Sequence, residues 1–308
     1  EDEIRAICFS HNRKYVFSGG WDKKIIRWKI PNYIPRESKK SIESGVIFSG
    51  HEGSITCLHI SQDDKYLYSS SKDGTVKIWN ATSGSCLNTI KHAQSQVYAL
   101  SVSNNGNYVI SGGLNAQIKV WACKKPFEVI NSKIPLKTIE RPLSAVHVLQ
   151  ISTDDKYLAS SGDENSIYLW KFPECTFMSR LEGHRKHIYW FDFHPSKPLL
   201  ASGGKEKKII VWNYLDGNIV RKISVPSSIS YLKFHPSYDF LLAADFQNNV
   251  QIYDIETSEI LQNISFSKGD KLTVGLSEDW GLFGLVPFNV KPNKFFLWSF
   301  DHSRDLCK

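Results

Sequence analysis

The feature that most constrains the fold is a segment that recurs along the chain and ends each time in an aromatic residue. Each copy has alternating apolar residues, a Ser- or Gly-rich patch, a turn, and a short run that closes on the aromatic. The clearest copies read YLYSSSKDGTVKIW, ending at Trp79, and LLASGGKEKKIIVW, ending at Trp212. The closing aromatics are Trp28, Trp79, Trp121, Trp170, Trp212, Tyr253 and Trp298. Their spacing of 41 to 51 residues is typical of blades that repeat around a ring.

The pattern within each copy indicates strands. Val76 and Ile78 alternate with Lys77, and the pair Asp73-Gly74 marks a turn before them. A single small sheet cannot bury both of its faces, whereas neighbouring sheets around a ring bury them for one another. The sequence therefore predicts an all-β fold, a seven-bladed β-propeller with four-stranded antiparallel blades, in a single domain over residues 1–308. The predicted blades are approximately residues 1–50, 51–92, 93–140, 141–182, 183–224, 225–265 and 266–308.

These segments resemble the repeats of the WD-repeat (Trp-Asp repeat) family over nearly the whole chain. Blade two is the closest match, because Gly50-His51 opens it and Asp73 and Trp79 follow at the expected places. In that family a His, a Ser, an Asp and the Trp form a buried hydrogen-bonded set, which we call the polar lock. The resemblance implies a lock of His51, Ser69, Asp73 and Trp79 in blade two. A buried imidazole and a buried indole N–H both need such partners.

Other blades carry parts of the same lock. Blade five has His184, Ser202 and Trp212, with Glu206 at the acidic position. Blade three has His92, Ser111, Asn115 and Trp121, and blade one has Ser18, Asp22 and Trp28. The His, Ser and Asp are also the residue types of a hydrolase triad, but their repetition favours a structural role. We expect no catalytic residues, no metal site and no cofactor, since the histidines show no metal-ligand spacing.

The resemblance also implies a binding surface. The predicted inner strands are residues 4–9, 54–60, 96–102, 145–151, 187–193, 228–234 and 271–276. In the family, two positions on one rim often contact ligands. The residue after the first apolar residue of each inner strand is Arg5, Thr56, Tyr98, His147, Tyr189, Ser230 or Thr273. The residue before the turn acid is Trp21, Lys72, Leu114, Asp163, Lys205 or Phe246. From these positions we expect partner contacts at Arg5, Trp21, Lys72, Tyr98, His147 and Tyr189.

The chain carries a formal net charge of +7, and blade five concentrates positive charge near the same rim. Arg185 and Lys186 lie in the loop that leads into its inner strand, and Lys205, Lys207 and Lys208 lie in its turn, offset by Glu206. Such a cluster attracts phosphate or acidic peptide segments, and a solvated basic edge is the alternative interpretation. Two long insertions, residues 30–44 and 122–133, are alternative docking loops.

These observations predict a non-catalytic scaffold or adaptor that binds a protein or peptide partner on the rim within a multiprotein complex. The alternative is an RNA- or DNA-binding subunit of an RNA-processing or modification complex that uses the basic rim of blade five. We expect no small-molecule substrate. The six cysteines include no Cys-x-x-Cys pair, and no apolar run has the length of a membrane span. A cytoplasmic or nuclear location follows as an expectation.

Overall fold

Short antiparallel strands, most of them six residues long, make up the regular structure of the chain. The computed structural model describes residues 3–31, 44–125, 128–129, 131–140, 144–265, 272–277, 282–287 and 296–299. No helix among these residues is long and apolar enough to cross a membrane. Most of the insertion at residues 30–44 lies outside the described residues, as do residues 126–127 and 130 of the second insertion.

The first three blades follow one another along the chain. Blade one consists of β1 (Ile4–Phe9), β2 (Tyr15–Gly20), β3 (Ile25–Lys29) and β4 (Ser44–Phe48). Blade two consists of β5 (Ile55–Ile60), β6 (Tyr66–Ser71), β7 (Thr75–Asn80) and β8 (Cys86–Lys91). Blade three consists of β9 (Val97–Val102), β10 (Tyr108–Gly113), β11 (Ile118–Lys125) and an outer strand in two pieces, β12 (Glu128–Val129) and β13 (Lys137–Ile139).

The next three blades repeat the same order without the divided strand. Blade four consists of β14 (Val146–Ile151), β15 (Tyr157–Gly162), β16 (Ser166–Lys171) and β17 (Thr176–Glu182). Blade five consists of β18 (Ile188–Phe193), β19 (Leu199–Gly204), β20 (Lys208–Asn213) and β21 (Ile219–Ser224). Blade six consists of β22 (Ile229–Phe234), β23 (Phe240–Asp245), β24 (Asn249–Asp254) and β25 (Ile260–Ser265).

The last sheet is smaller than the others. It contains β26 (Leu272–Leu276), β27 (Leu282–Pro287) and β28 (Phe296–Ser299), three antiparallel strands among the described residues. The all-β fold and the four-stranded antiparallel blades are confirmed, but the prediction of seven such blades is wrong. The propeller has six four-stranded blades in its described part, and β26–β28 form an additional three-stranded sheet. The predicted seventh blade keeps the closing run before Trp298 but lacks the turn pattern that organises the other blades.

The core lies between the blades. The second strand of each complete blade is almost entirely buried, whereas the outer strand of blade five has one buried residue, Ile223. The closing Trp28, Trp79, Trp121, Trp170 and Trp212 are at most 2% exposed, and Tyr253 occupies the same place in blade six. Burying rings of this size removes a large apolar area from water, and this burial is the main stabilising term of the fold.

Neighbouring blades approach closely at a residue with no side chain. A Cβ atom on Gly19, in the second strand of blade one, would lie 2.7 Å from Cγ2 of Ile55 in blade two. In the three-stranded sheet, a Cβ on Gly275 would lie 2.6 Å from Cγ2 of Ile7 in blade one. Val274 packs in one cluster with Leu242 of blade six. The three-stranded sheet therefore lies between blade six and blade one.

Candidate functional site

The polar lock of blade two joins the two loops that border the candidate rim. Nδ1 of His51 lies 2.7 Å from Oδ2 of Asp73, and Nε2 lies 2.7 Å from Oγ of Ser69. The Trp79 indole N–H donates to the same Ser69 oxygen at 2.8 Å. Asp73 also accepts the backbone N–H of Glu52 at 2.9 Å. The lock therefore ties the loop that leads into the inner strand to the turn after the second strand.

The carboxylate of this lock stays ionised at neutral pH. Burial alone would raise the pKa of Asp73, but hydrogen bonds from His51 and Thr75 outweigh burial and hold the pKa well below its usual range. The Ser69 side chain is fully buried and engaged by the Trp79 indole. A hydroxyl held in this way is not placed to attack a substrate, so the geometry gives this triad-like set a structural role.

Blade five builds the same lock with a longer acid. Nε2 of His184 lies 2.7 Å from Oγ of Ser202, which accepts the Trp212 indole N–H at 2.8 Å. Glu206 contacts Nδ1 of His184 and accepts the backbone N–H of Arg185 at 3.1 Å. The extra methylene of Glu206 is accommodated without changing which atoms are paired.

Blade three uses the opposite orientation of the imidazole ring. Nδ1 of His92 faces Oγ of Ser111 at 2.8 Å, and Nε2 faces Oδ1 of Asn115 at 3.1 Å. Burial lowers the pKa of His92 to about 4, and the hydrogen bond to the neutral Asn115 amide only partly offsets this effect. This lock therefore holds a neutral imidazole.

The remaining blades show how much of the lock is dispensable. Blade one keeps the pair in which the Trp28 indole N–H donates to Ser18 Oγ at 2.8 Å. In blade four Ser160 occupies the serine position, but its Oγ has no hydrogen-bond partner among the described residues. Blade six replaces both members of the pair, with Ala243 for Ser and Tyr253 for Trp. The Tyr253 hydroxyl donates to Gln251 Oε1 at 2.7 Å instead.

A β-bulge at the start of every complete inner strand determines which side chains reach the rim. The pairing of each inner strand with the second strand shifts around one residue, which has no Cα partner. These bulged residues are Arg5, Thr56, Tyr98, His147, Tyr189 and Ser230. They occupy the positions that the sequence analysis assigned to the rim. A bulge redirects the side chain of its extra residue. The same bulge, repeated once in each complete blade, therefore redirects six side chains. Thr273 in β26 pairs in register with Val286.

The turn residues are held beside these bulges by a repeated backbone hydrogen bond. The N–H of Trp21 donates to the carbonyl of Glu3 at 2.9 Å. The equivalent bonds join Lys72 to Ser54, Leu114 to Gln96, Lys205 to His187 and Phe246 to Ser228. Three of these turn residues are exposed apolar side chains: Trp21 is 44%, Leu114 52% and Phe246 44% exposed. Leu114 and Phe246 were predicted at this turn position but not as partner contacts. An apolar side chain at an exposed turn is the sequence feature that could have identified them.

The predicted partner contacts form separate small clusters. The Arg5 guanidinium lies 5.1 Å and the Lys72 ammonium 5.6 Å from the Trp21 ring centroid, which joins blades one and two. The rings of Tyr98 and His147 lie 5.0 Å apart, across blades three and four.

The Tyr98–His147 cluster is fixed by its own hydrogen bonds. The Tyr98 hydroxyl donates to Gln96 Oε1 at 2.7 Å, and Nε2 of His147 lies 2.8 Å from Asp163 Oδ1. In the third cluster, Tyr189 of blade five meets Phe246 of blade six edge to face, with ring centroids 5.4 Å apart. The rim therefore presents ordered aromatic side chains at several points around the ring.

The positive charges predicted in blade five are exposed. The exposed residues are Arg185, Lys186, Lys205, Lys207 and Lys208. None of these side chains forms an ion pair with another residue in the part of the chain that the structure describes. Glu206, the acid that was expected to offset them, points inward to His184, and its side chain is 7% exposed. The same described residues contain no group of three His, Cys, Asp or Glu that could hold a metal ion.

A family model of known repeat proteins matches the repeated segments of this chain. The family model described as "WD domain, G-beta repeat" matches residues 1–29, 43–80, 84–122, 133–171 and 175–213, more than half of the chain. The chain is 29% identical over 99 residues to the small ribosomal subunit protein RACK1y of Oryza sativa subsp. japonica, which covers 32% of this chain and 29% of the relative. It is 35% identical over 91 residues to WD repeat-containing protein 18 of Bos taurus, which covers 28% of this chain and 21% of the relative.

A longer and weaker match reaches most of the chain. The chain is 24% identical over 236 residues to the periodic tryptophan protein 2 homolog of Dictyostelium discoideum, a match that covers 76% of this chain and 24% of the relative. The chain thus spans less than a third of the length of each of these relatives. Repeated blades, the Ser–Trp pairs and the family match together show that the chain belongs to the WD-repeat family.

Proposed function

We propose that this propeller is a protein-interaction scaffold that binds a segment of a protein partner across the rim. The proposed contacts are Arg5, Trp21, Lys72, Tyr98, His147 and Tyr189, with Arg185, Lys186, Lys205 and Lys207 beside them. Family membership supports the scaffold role. The proposal specifies the surface of this chain that the partner would contact.

The observation that carries the proposal is the bulge that recurs in all six complete blades. Each bulge redirects one side chain, and five of the six turns are held by a backbone hydrogen bond, to which blades two, three and five add a lock. Side chains held in this way lose little conformational entropy when a partner binds. Exposed aromatic residues next to cations are frequent anchors of protein interfaces. The rim therefore has the rigidity and the residue types that partner binding requires.

The location of the protein belongs to the same proposal. Five cysteines, Cys8, Cys57, Cys86, Cys123 and Cys175, lie within the described residues, and none forms a disulfide there. Burial raises the pKa of Cys57 and of Cys123 to about 11, which keeps these thiols protonated and unreactive. Reduced, buried thiols support a cytoplasmic or nuclear scaffold.

The test is affinity capture from an extract of the source organism. A rim variant, Trp21→Ala with Tyr98→Ala and Tyr189→Ala, is compared with wild type. A matched control removes three exposed apolar side chains from outer strands: Leu87→Ala, Phe177→Ala and Ile260→Ala. We expect specific partners to bind wild type and the control and to be lost from the rim variant. Retention of every partner by the rim variant would refute the proposal.

The comparisons give no support to the alternative of an RNA- or DNA-binding subunit, and the same capture distinguishes it. Partners that bind through protein contacts persist after nuclease treatment. Nucleic acid that binds directly shows an affinity that falls steeply and log-linearly with salt. Capture that disappears with nuclease and with moderate salt would favour the alternative over the proposal.

A further inference from the structure

Blades five and six meet in a corner of the rim, which we define as Arg185, Lys186, Tyr189, Lys205, Lys207, Lys208 and Phe246. The backbone links its parts directly. The Ser228 hydroxyl donates to the carbonyl of Lys205 at 3.2 Å, and the N–H of Phe246 donates to the carbonyl of Ser228 at 3.0 Å. The exposed Tyr189–Phe246 ring pair therefore lies beside the basic turn of blade five.

The corner keeps a net positive charge within the described residues, because its five cations outnumber the single carboxylate of Glu206. Glu206 is directed into the blade, where it serves His184 and the backbone N–H of Arg185. Asp163 in neighbouring blade four is engaged by His147. Five cations at one loop and one turn repel one another, and an anionic ligand relieves that repulsion.

Blade two shows that the lock does not need these cations. Counting from the lock histidines, Arg185 and Lys186 correspond to Glu52 and Gly53, and Lys207 and Lys208 correspond to Gly74 and Thr75. Both blades form the same hydrogen bonds from histidine to acid and from tryptophan to serine. The four cations of blade five are therefore additions to a working lock.

One of these cations is held in a strained conformation. Lys207 has a φ of 59°, in the left-handed region, where blade two has Gly74 at a φ of 84°. A residue with a Cβ is disfavoured at such a position, whereas glycine is not. The equivalent turn residues of blades one, three and six, which are Lys23, Ala116 and Asn248, also have positive φ values, so the left-handed conformation is a general feature of this turn.

We infer that the corner binds an anionic peptide segment of the partner, with its carboxylate or phosphate oxygens on the cations and an apolar side chain against Tyr189 and Phe246. This inference rests on the proposed scaffold function and specifies the chemistry of the segment. Carboxylate and phosphate oxygens accept the same charge-assisted hydrogen bonds from lysine and arginine. The adjoining ring pair adds an apolar contact that a purely electrostatic site lacks.

The experiment selects twelve-residue peptides from a random phage-displayed library on the wild-type protein and measures their binding by fluorescence anisotropy. The corner variant carries the residues of blade two: Arg185→Glu, Lys186→Gly, Lys207→Gly and Lys208→Thr. The control variant, Lys14→Gln with Lys29→Glu and Lys171→Glu, loses the same net charge away from the rim. Each selected peptide is also made with its acids replaced by amides and with phosphoserine replacing an acid.

We expect the selected peptides to combine acids with an apolar residue. Their affinity should fall about tenfold on the corner variant and on Tyr189→Ala, and stay unchanged on the control variant. Tighter binding of the phosphoserine peptides identifies a phosphorylated segment, and weaker binding identifies acidic side chains; either result supports the inference.

Other outcomes overturn it. If the corner variant binds as wild type does while Trp21→Ala with Tyr98→Ala abolishes binding, the anionic segment is excluded and the rim function stands. If no variant changes binding, the inference and the rim both fail. If a labelled twenty-nucleotide oligouridylate binds the corner more tightly than the selected peptides do, the ligand is nucleic acid and the inference is wrong.

Discussion

Blades two and six have the same four strands and the same strand register, yet different side chains fill the centre of each blade. Blade two has a complete lock, in which Ser69 accepts from Trp79 and contacts His51. Blade six has Ala243 and Tyr253 at the corresponding positions, and Tyr253 satisfies its own hydroxyl through Gln251. Strand register and apolar burial are therefore enough to specify a blade without the lock. The lock adds stability and, above all, fixes the two loops that border the rim.

The largest loss of stability is expected from removing the buried aromatic side chain, on which both blades depend. Trp79→Ala removes a fully buried indole and leaves Ser69 without its donor. We expect the free energy of unfolding to fall by about 3–5 kcal/mol, measured by urea denaturation. Tyr253→Ala should have a comparable effect in blade six. A loss below about 1 kcal/mol at either site would break the claim that aromatic burial specifies the blade.

Blade three tests the electrostatic part of the lock, because it holds a neutral imidazole. The pKa of His92 is lowered to about 4 in the folded protein, whereas an unfolded histidine titrates near pH 6.5. Between these values the unfolded chain binds the proton, so His92 contributes stability above pH 6.5 that is lost as the pH falls toward 4. The loss from this group reaches at most about 3 kcal/mol.

The matched variant is Asn115→Asp, which gives blade three the acid found in blade two. A carboxylate stabilises the imidazolium, so the variant should gain stability relative to wild type as the pH falls from 7.5 to 5, by about 1 kcal/mol. Urea denaturation at the two pH values measures the difference. A difference between variant and wild type that does not change with pH would contradict this account of His92.

A pair of reciprocal changes separates the serine from the aromatic. Ser69→Ala leaves the Trp79 indole N–H and one nitrogen of His51 without a partner, which costs about 2 kcal/mol. Ala243→Ser in blade six adds a buried hydroxyl beside Tyr253 and should destabilise by about 1 kcal/mol. Thermal unfolding of the two variants measures both predicted losses of stability. Stabilisation by the added serine would mean that blade six is an incomplete lock and not a different solution.

An effect of similar size is expected for the hydroxyl of Tyr253. Tyr253→Phe removes the hydrogen bond to Gln251 but keeps the buried ring, so we expect a loss of about 1 kcal/mol. The second variant, Tyr253→Phe with Gln251→Leu, removes both polar partners and should recover most of that loss. A double variant less stable than the single one would show that Gln251 has another role in blade six.

Much of the fold followed from residue periodicity. The closing aromatics and the alternating apolar residues predicted the blades, and each inner strand begins at the predicted residue or one residue later. The number of four-stranded blades was wrong because each closing aromatic marks only the third strand of a sheet, and the sheet that contains Trp298 has three strands among the described residues. The spacing of the aromatic residues predicts where a strand occurs, but not how many strands its sheet contains.

The positions of the predicted rim residues follow from the repeat, but the bulge that they share does not. The bulged residues Arg5, Thr56 and Tyr98 differ in side-chain type, because the bulge that presents them is a property of the backbone register. The contact between Tyr189 and Phe246 joins two blades, and no local pattern in either segment signals it. The inverted His92 ring likewise depends on whether the acidic position holds Asp or Asn, and on the space around it.

Site-specific photo-crosslinking tests most directly whether the rim is the binding surface. A benzophenone amino acid replaces Trp21, Tyr98 or Tyr189 on the rim, or Leu87 or Phe177 on outer strands, one position at a time. Each protein is irradiated in an extract of the source organism, and covalent partners are identified by mass spectrometry. We predict a shared protein partner crosslinked from the rim positions and absent from the outer ones. The same partner crosslinked only from Leu87 or Phe177 would contradict the account.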